Sequence, residues 1–256
     1  MKKHQTESKS LINKVSQVTI LFWVIKILST TVGETTADFF SHALGSISIA
    51  LFGTLLLIAA FIQMRFKQYV PWMYWTVIVF IAIFGTLFAD GLHHAGIPLG
   101  FTTLIFATAL SLLFALWYAC EKTLDVHNIH TTRREIFYWL VILFTFALGT
   151  AAGDFLAHGF QFGFMKATLV FGIIMVIVPI ILYRARVNSV VLFWASYILT
   201  RPFGASGGDL LSHPVNVGGF GWGTGTTSLI FLGMVIALII YVTITHKKEM
   251  DDAELL

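Results

Sequence analysis

The 256-residue chain is 57% hydrophobic and 15% aromatic but only 11% charged, against about 25% charged residues in a soluble globular domain. With a mean hydropathy of +0.84, this composition excludes an ordinary soluble domain and indicates an integral membrane protein. The net charge of +3 does not point to nucleic acid, because the basic residues sit in short clusters between apolar runs, as in loops on the positive side of a membrane.

The polar N-terminus MKKHQTESKSLINK leads into a first apolar run at about 17–43. That run is too long for a signal peptide, is interrupted by Lys26 and shows no small-residue cleavage site, so it reads as a retained span. Inside it, GETTADFFSH puts Glu34, Asp38 and His42 at bilayer depth, where each charge costs about 2.5–3.5 kcal/mol. Further apolar runs follow at 46–64, 71–93 and 98–119. The polar connection CEKTLDVHNIHTTRRE, 120–135, then divides the chain. It begins with the lone Cys120, so no intramolecular disulfide or thiolate cluster can form. The second half has runs at 136–157, 162–183, 189–212 and 224–245, with the Gly-rich VNVGGFGWGTGT at 215–226 read as a flexible or re-entrant connection. Each run can cross about 30 Å of hydrocarbon at 1.5 Å per residue. The expected fold is all-α, with eight transmembrane helices and no soluble domain.

Thirteen of the sixteen lysines and arginines fall in the tails or near 65–67, 122–134 and 184–186. With eight spans these lie on one side, which the positive-inside rule makes cytoplasmic, together with both termini.

The odd-numbered runs align without a gap. Trp23, Trp75, Trp139 and Trp194 each follow an aromatic residue (Phe22, Tyr74, Tyr138, Phe193). Ten residues on come Gly33, Gly85, Gly149 and Gly204; fifteen on, Asp38, Asp90, Asp154 and Asp209; nineteen on, His42, His94, His158 and His213. The even runs share a looser motif: SIALF, TTLIF, ATLVF and TSLIF. The sequence thus predicts four parallel repeats of a two-helix hairpin, at about 15–66, 67–120, 131–185 and 186–246, around a pseudo-fourfold axis along the membrane normal.

Residues four apart share a helix face, about 6 Å from each other, so each Asp/His pair is a candidate grip on one metal ion. Mixed carboxylate and imidazole ligands suit Mn, Fe, Co or Zn as divalent ions. Eight ligands exceed the needs of one octahedral ion. Either two sites exist, or some aspartates orient a histidine through its other ring nitrogen. Glu34 breaks the symmetry, since Thr86, Thr150 and Ala205 stand at its position in the other copies; it is a further candidate metal ligand and the candidate for proton exchange. Lys26 and Arg201 are read as counter-ions of neighbouring carboxylates. The tryptophans are expected to be interface anchors and the glycines close-packing points, with the Asp/His layers in the outer half of the membrane. His93 points about 100° off the stripe and is a weak candidate. His4, His127, His130 and His246 read as solvated loop and tail residues. The structural alternative for the pairs is a hydrogen-bonded polar layer closing the helix ends, but ionisable groups at this depth are functional by default.

The stretches KVSQVTILFWVIKILSTTVGETTADF, TRREIFYWLVILFTFALGTAAGDF and FWASYILTRPFGASGGDLL resemble a bacterial family of uncharacterised multi-pass inner-membrane proteins. The resemblance covers nearly the whole chain. It implies a bacterial cytoplasmic membrane and carries no activity.

The residues themselves point first to a transporter of divalent transition-metal ions, with membrane lipids and the cation as its partners. The alternatives are an intramembrane metal-dependent hydrolase acting on a lipid or small molecule, and a cation or proton channel with an Asp/His filter. Lys26 and Arg201 would oppose cation flow down an axial pore. Haem held by facing histidines would leave the aspartates unexplained.

Overall fold

The computed structural model describes residues 13–254; His4 and Lys2, Lys3 and Lys9 of the N-terminal tail lie outside them. Among the described residues there are eight α-helices and no strand: α1 Ile20–Leu44, α2 Ile47–Arg65, α3 Pro71–His94, α4 Leu99–Glu121, α5 Thr132–Asp154, α6 Gly163–Arg184, α7 Ser189–Ser212 and α8 Thr224–Glu254. Seven of them are long and apolar enough to cross a membrane, and the chain is accordingly a multi-pass membrane protein. The remaining helix, α7, is of similar length but contains Arg201, Pro202 and Asp209.

Local chemistry sets the helix starts. Thr19 accepts a hydrogen bond from the Phe22 amide at 3.2 Å, and Thr131 one from Arg134 at 3.3 Å. Pro71 opens α3, where its missing N–H costs nothing. Between α1 and α2 the turn is only two residues, and Gly45 adopts φ 58° to make it. The last helix runs nine residues past its apolar stretch because HKKEMDDAE contains mostly adequate helix formers.

The four odd helices form a closed ring, α1 against α3, α3 against α5, α5 against α7 and α7 against α1. Each contact uses the repeat glycine. Gly33 meets Ala82, Gly85 meets Phe146, Gly149 meets Arg201 and Gly204 meets Thr30; every partner stands three residues before the glycine of the next helix. A Cβ on Gly85 would lie 2.9 Å from the Phe146 Cβ, and one on Gly204 would lie 2.6 Å from the Thr30 Cβ. No side chain fits, so the backbones approach closely all round the ring.

The same step recurs one layer down. Phe22 packs on Trp75, with ring centroids 5.6 Å apart, Tyr74 on Trp139 (5.4 Å), Tyr138 on Trp194 (6.2 Å) and Phe193 on Trp23 (5.8 Å). Trp75, Trp139 and Trp194 are buried. This corrects their expected role as interface anchors: they seal the bundle interior, because the preceding aromatic of the neighbouring helix covers them. Tyr74 and Tyr138 share a hydrogen bond of 2.5 Å between their hydroxyls.

The even helices pack outside the ring, each mainly on the odd helix of the next repeat: α2 on α3, α4 on α5, α6 on α7 and α8 on α1. The hairpin is thus a unit of sequence but not of packing, and α8 closes the ring onto the first repeat. The tryptophan end is covered by residues 13–16. Asn13 accepts from the Tyr69 amide (3.0 Å) and donates to the Val126 carbonyl (3.1 Å), while Lys14 pairs with buried Glu135 at 2.7 Å.

Gly85→Ala is expected to destabilise the protein by about 1–3 kcal/mol through overpacking. Gly233→Ala on α8, where a Cβ meets nothing within 4 Å, should be neutral or stabilising by up to about 1 kcal/mol. Thermal unfolding in detergent checks this; equal shifts would contradict the glycine ring.

Candidate functional site

The ring geometry turns one face of each odd helix toward the axis and so stacks equivalent residues in layers. At the histidine end, Asp38, Asp90, Asp154 and Asp209 line one cavity of about 350 Å³, with Glu34 also in its wall and His93, His94, His158 and His213 around it. His42 lines a neighbouring cavity of about 640 Å³ between α1, α2 and α3, together with Asp38, Asp90 and His94. The proposed ligands are therefore brought together, but not as four equal pairs. Among the described residues, one set converges: Asp38, Asp209 and His213 offer ligand atoms that all lie within 4.8 Å of one another. The Oδ2 of Asp38 is buried and has no hydrogen-bond partner, which leaves it free to bind a ligand.

Two of the pairs depart from regular α-helix. After Asp154, α5 passes into a π turn, Phe155–Gly159, which carries His158; such turns re-aim side chains and recur at functional sites. His213 stands just past α7 in extended conformation, φ −70° and ψ 151°. The Gly-rich segment after it folds back: Phe220, Gly221, Trp222 and Gly223 donate to the carbonyls of Leu210, His213, Leu211 and Ser212 at 2.7–3.1 Å. These bonds satisfy carbonyls at and just beyond the end of α7. The segment expected to be a flexible or re-entrant connection is in fact a cap that fixes His213.

The histidines are oriented by backbone. His94 Nδ1 lies 2.8 Å from the Asp90 carbonyl and His213 Nδ1 3.2 Å from the Asp209 carbonyl. A carbonyl only accepts, so Nδ1 carries the proton and Nε2 is left as the electron-pair donor. The Asp209 carboxylate is 3.9 Å from the same Nδ1, so the orienting group is the main chain of the aspartate, not its side chain. His93, set aside on helical spacing, lies in the cavity wall. Its Nδ1 sits 3.1 Å from the Ile97 carbonyl, just past the end of α3. The doubled HisHis at 93–94 was the available signal.

Beneath the aspartates the four helices are tied together by one ion pair. Arg201 and Glu34 are both buried, 2.9 Å apart. The same Glu34 oxygen accepts from Thr86 and Thr150, each at 3.2 Å. Arg201 donates to the Thr30 carbonyl at 2.9 Å, to Thr150 at 2.8 Å and to Thr86. Arg201 is thus the ion-pair partner of Glu34. Lys26 is not: its Nζ lies 4.0 Å from the Phe146 ring centroid and 4.3 Å from that of Tyr197, with no hydrogen-bond partner. Two helical turns, about 12 Å, separate it from Glu34, and Arg201 also stacks on Phe146 from 5.1 Å. The column therefore runs from a carboxylate-rich mouth, through an ion-paired layer, to a cation on aromatic rings and then the tyrosine pair.

These features define an all-helical, multi-pass membrane protein built from four sequence repeats around a polar axis. Segments 21–69, 73–123, 137–188 and 192–248 each match the repeat of unknown function DUF347, and the chain belongs to that family. Each match contains one odd helix and the even helix after it. Comparison with curated proteins and with solved structures gave no match.

Arg201→Met should cost about 3–5 kcal/mol of stability by leaving Glu34 as an unpaired buried charge, and Arg201→Met/Glu34→Leu should recover much of it. Thermal melts of the two variants in detergent are the check; a double variant no more stable than the single one would mean that the pair is not coupled.

Proposed function

We propose that this protein carries divalent transition-metal ions of the Mn, Fe, Co or Zn class across the bacterial cytoplasmic membrane. The observation that supports it most is the convergence of Asp38, Asp209 and His213 in a cavity lined by two further aspartates. Two carboxylates and one imidazole form a hard-to-borderline donor set suited to such ions. The surplus of carboxylates over Arg201 makes the mouth a cation trap. In this reading all eight helices span, α7 included, because it shares the ring register of α1, α3 and α5. The basic clusters put both termini in the cytoplasm, and the histidine end then faces outward.

The Arg201–Glu34 layer is the inner barrier. An ion leaving the aspartate cavity toward the tryptophan end must meet Arg201, which four helices hold in place, and then Lys26. Passage therefore needs the pair to separate, and proton uptake by Glu34 would release Arg201 from it. A barrier that must rearrange on each cycle belongs to a carrier rather than an open channel.

One observation also favours a second reading, a metal-dependent hydrolase. Among the described residues, ligand atoms converge in one quadrant only, which would leave an open position on the ion and Asp154 free as base. Against it, Glu34 is already engaged by Arg201 and two threonines.

Metal analysis of detergent-purified protein, with thermal shifts over Mn²⁺, Zn²⁺, Co²⁺, Ni²⁺ and Ca²⁺, tests the centre. Wild type should gain stability with a transition ion. Asp209→Asn and His213→Ala should lose that gain, whereas His42→Ala, in the neighbouring cavity, should lose less. Absence of any metal effect in wild type would sink both readings. Flux into proteoliposomes, abolished in Asp209→Asn, would then select the carrier; binding without flux would select the enzyme.

A further inference from the structure

The ring has four outer seams, and one of them is open. Toward the tryptophan end three of the outer helices reach toward the odd helix beyond the one they pack on. In α2, Gln63 donates to Glu135 of α5 at 3.4 Å. In α4, Trp117 packs on Trp194 of α7 at 5.8 Å. In α8, His246 packs at 5.3 Å on Tyr69, just before α3. Gln63 and Trp117 stand eleven residues beyond the shared phenylalanine of the repeat; the same position is Val242 in α8, half-buried and packed against the core with His246 one turn beyond, and Leu182 in α6, half-buried but outside that core cluster. Whereas α2 and α4 bury residues along most of their length, α6 buries only Phe164 and Ala167, both near its start. Pro179 lies inside α6; it removes the N–H that would bond to the Met175 carbonyl and disfavours a straight helix.

The result is a groove of about 910 Å³ between α6, α7 and α1, its walls including Trp23, Ile27, Pro179, Leu192 and Ser196. Roughly 300–1,000 Å³ is the usual size of a ligand site. The groove ends in a polar rim with Arg184, His127 and Ser189, and no carboxylate lines it. Asp125 lies 2.9 Å from the rim residue His127. Arg184 makes no ion pair among the described residues, and it closes α6, where an apolar helix meets water. From Met175 to Arg184 is about 13 Å of helix, long enough to lay an acyl chain beside.

We propose that this groove binds one anionic glycerophospholipid, its phosphate on Arg184 and an acyl chain along the peeled half of α6. Basic rims between membrane helices recognise anionic headgroups in this way. A lipid is the fitting occupant because the groove is apolar over the span of α6 and cationic only at its rim. The inference rests on the multi-pass reading of the chain and is independent of the metal centre.

Native mass spectrometry of the full chain in mild detergent, titrated with phosphatidylglycerol or phosphatidylcholine, is the test. Wild type should retain one phosphatidylglycerol about fivefold more tightly than phosphatidylcholine, the preference expected of one arginine. Ser196→Phe, or Ile180→Trp from the α6 side, should fill the groove and abolish the bound lipid without changing the elution volume or Tm. Arg184→Gln should keep a lipid but lose the preference, while Arg65→Gln, at the end of α2, should keep it. Equal binding by wild type and both filled variants would overturn the proposal, as would a preference that survives Arg184→Gln. So would a wild-type dimer that the filling substitutions convert to monomer, which would assign the groove to a second copy of the chain.

Discussion

Four helices can share one axis only if their backbones come close enough for side chains to meet across it. Here that constraint falls on Gly33, Gly85, Gly149 and Gly204, each pressed against the residue one turn below the next glycine. In a bilayer, apolar burial gives little drive for helix association, so packing of small residues and interhelical hydrogen bonds must supply it. The glycine ring provides the first and the layer beside it the second. With the backbones at this distance, the long side chain of Arg201 spans the centre and reaches Thr30, Glu34, Thr86 and Thr150 at once.

The symmetry of the repeat holds in the packing of the inner ring and fails in its chemistry. Glycines and aromatics obey the fourfold rule, since each interface needs the same close approach and the same seal. The axial layers do not. One glutamate and one arginine occupy positions where the other copies have threonine, alanine or aromatic residues, and among the described residues the ligand atoms converge between the first and fourth repeats only. The outer helices repeat the pattern: three seams close and the one at α6 stays open. A single ion pair and a single ligand set suffice for a site, so four identical copies would place surplus charge on the axis.

Much of this was legible in the sequence. Apolar run length identified the membrane helices, and fixed spacings from tryptophan to glycine, aspartate and histidine identified the repeat and the four aspartates that the structure gathers in one cavity. Helical geometry alone then misjudged particular side chains. Helical spacing sets His93 off the stripe, yet from the last turn of α3 its side chain still reaches the cavity wall. His158 and His213 were placed on regular helix, although a π turn and a helix end carry them. Lys26 was paired with carboxylates because spacing along one helix does not show that Phe146 and Tyr197, from two others, fill the space around it.

The sequence by itself determined the helix count, the repeat register and the supply of ionisable groups, because hydrophobic run length and periodic spacing are local properties of the chain. Tertiary structure alone decided which helix pairs with which. The hairpins share their outer helices with the next repeat, α8 returns to α1, and that closure sets Asp38 beside Asp209 and His213 from the far end of the chain. Contacts between residues about 170 positions apart depend on how the ring closes, a three-dimensional condition that no local spacing encodes.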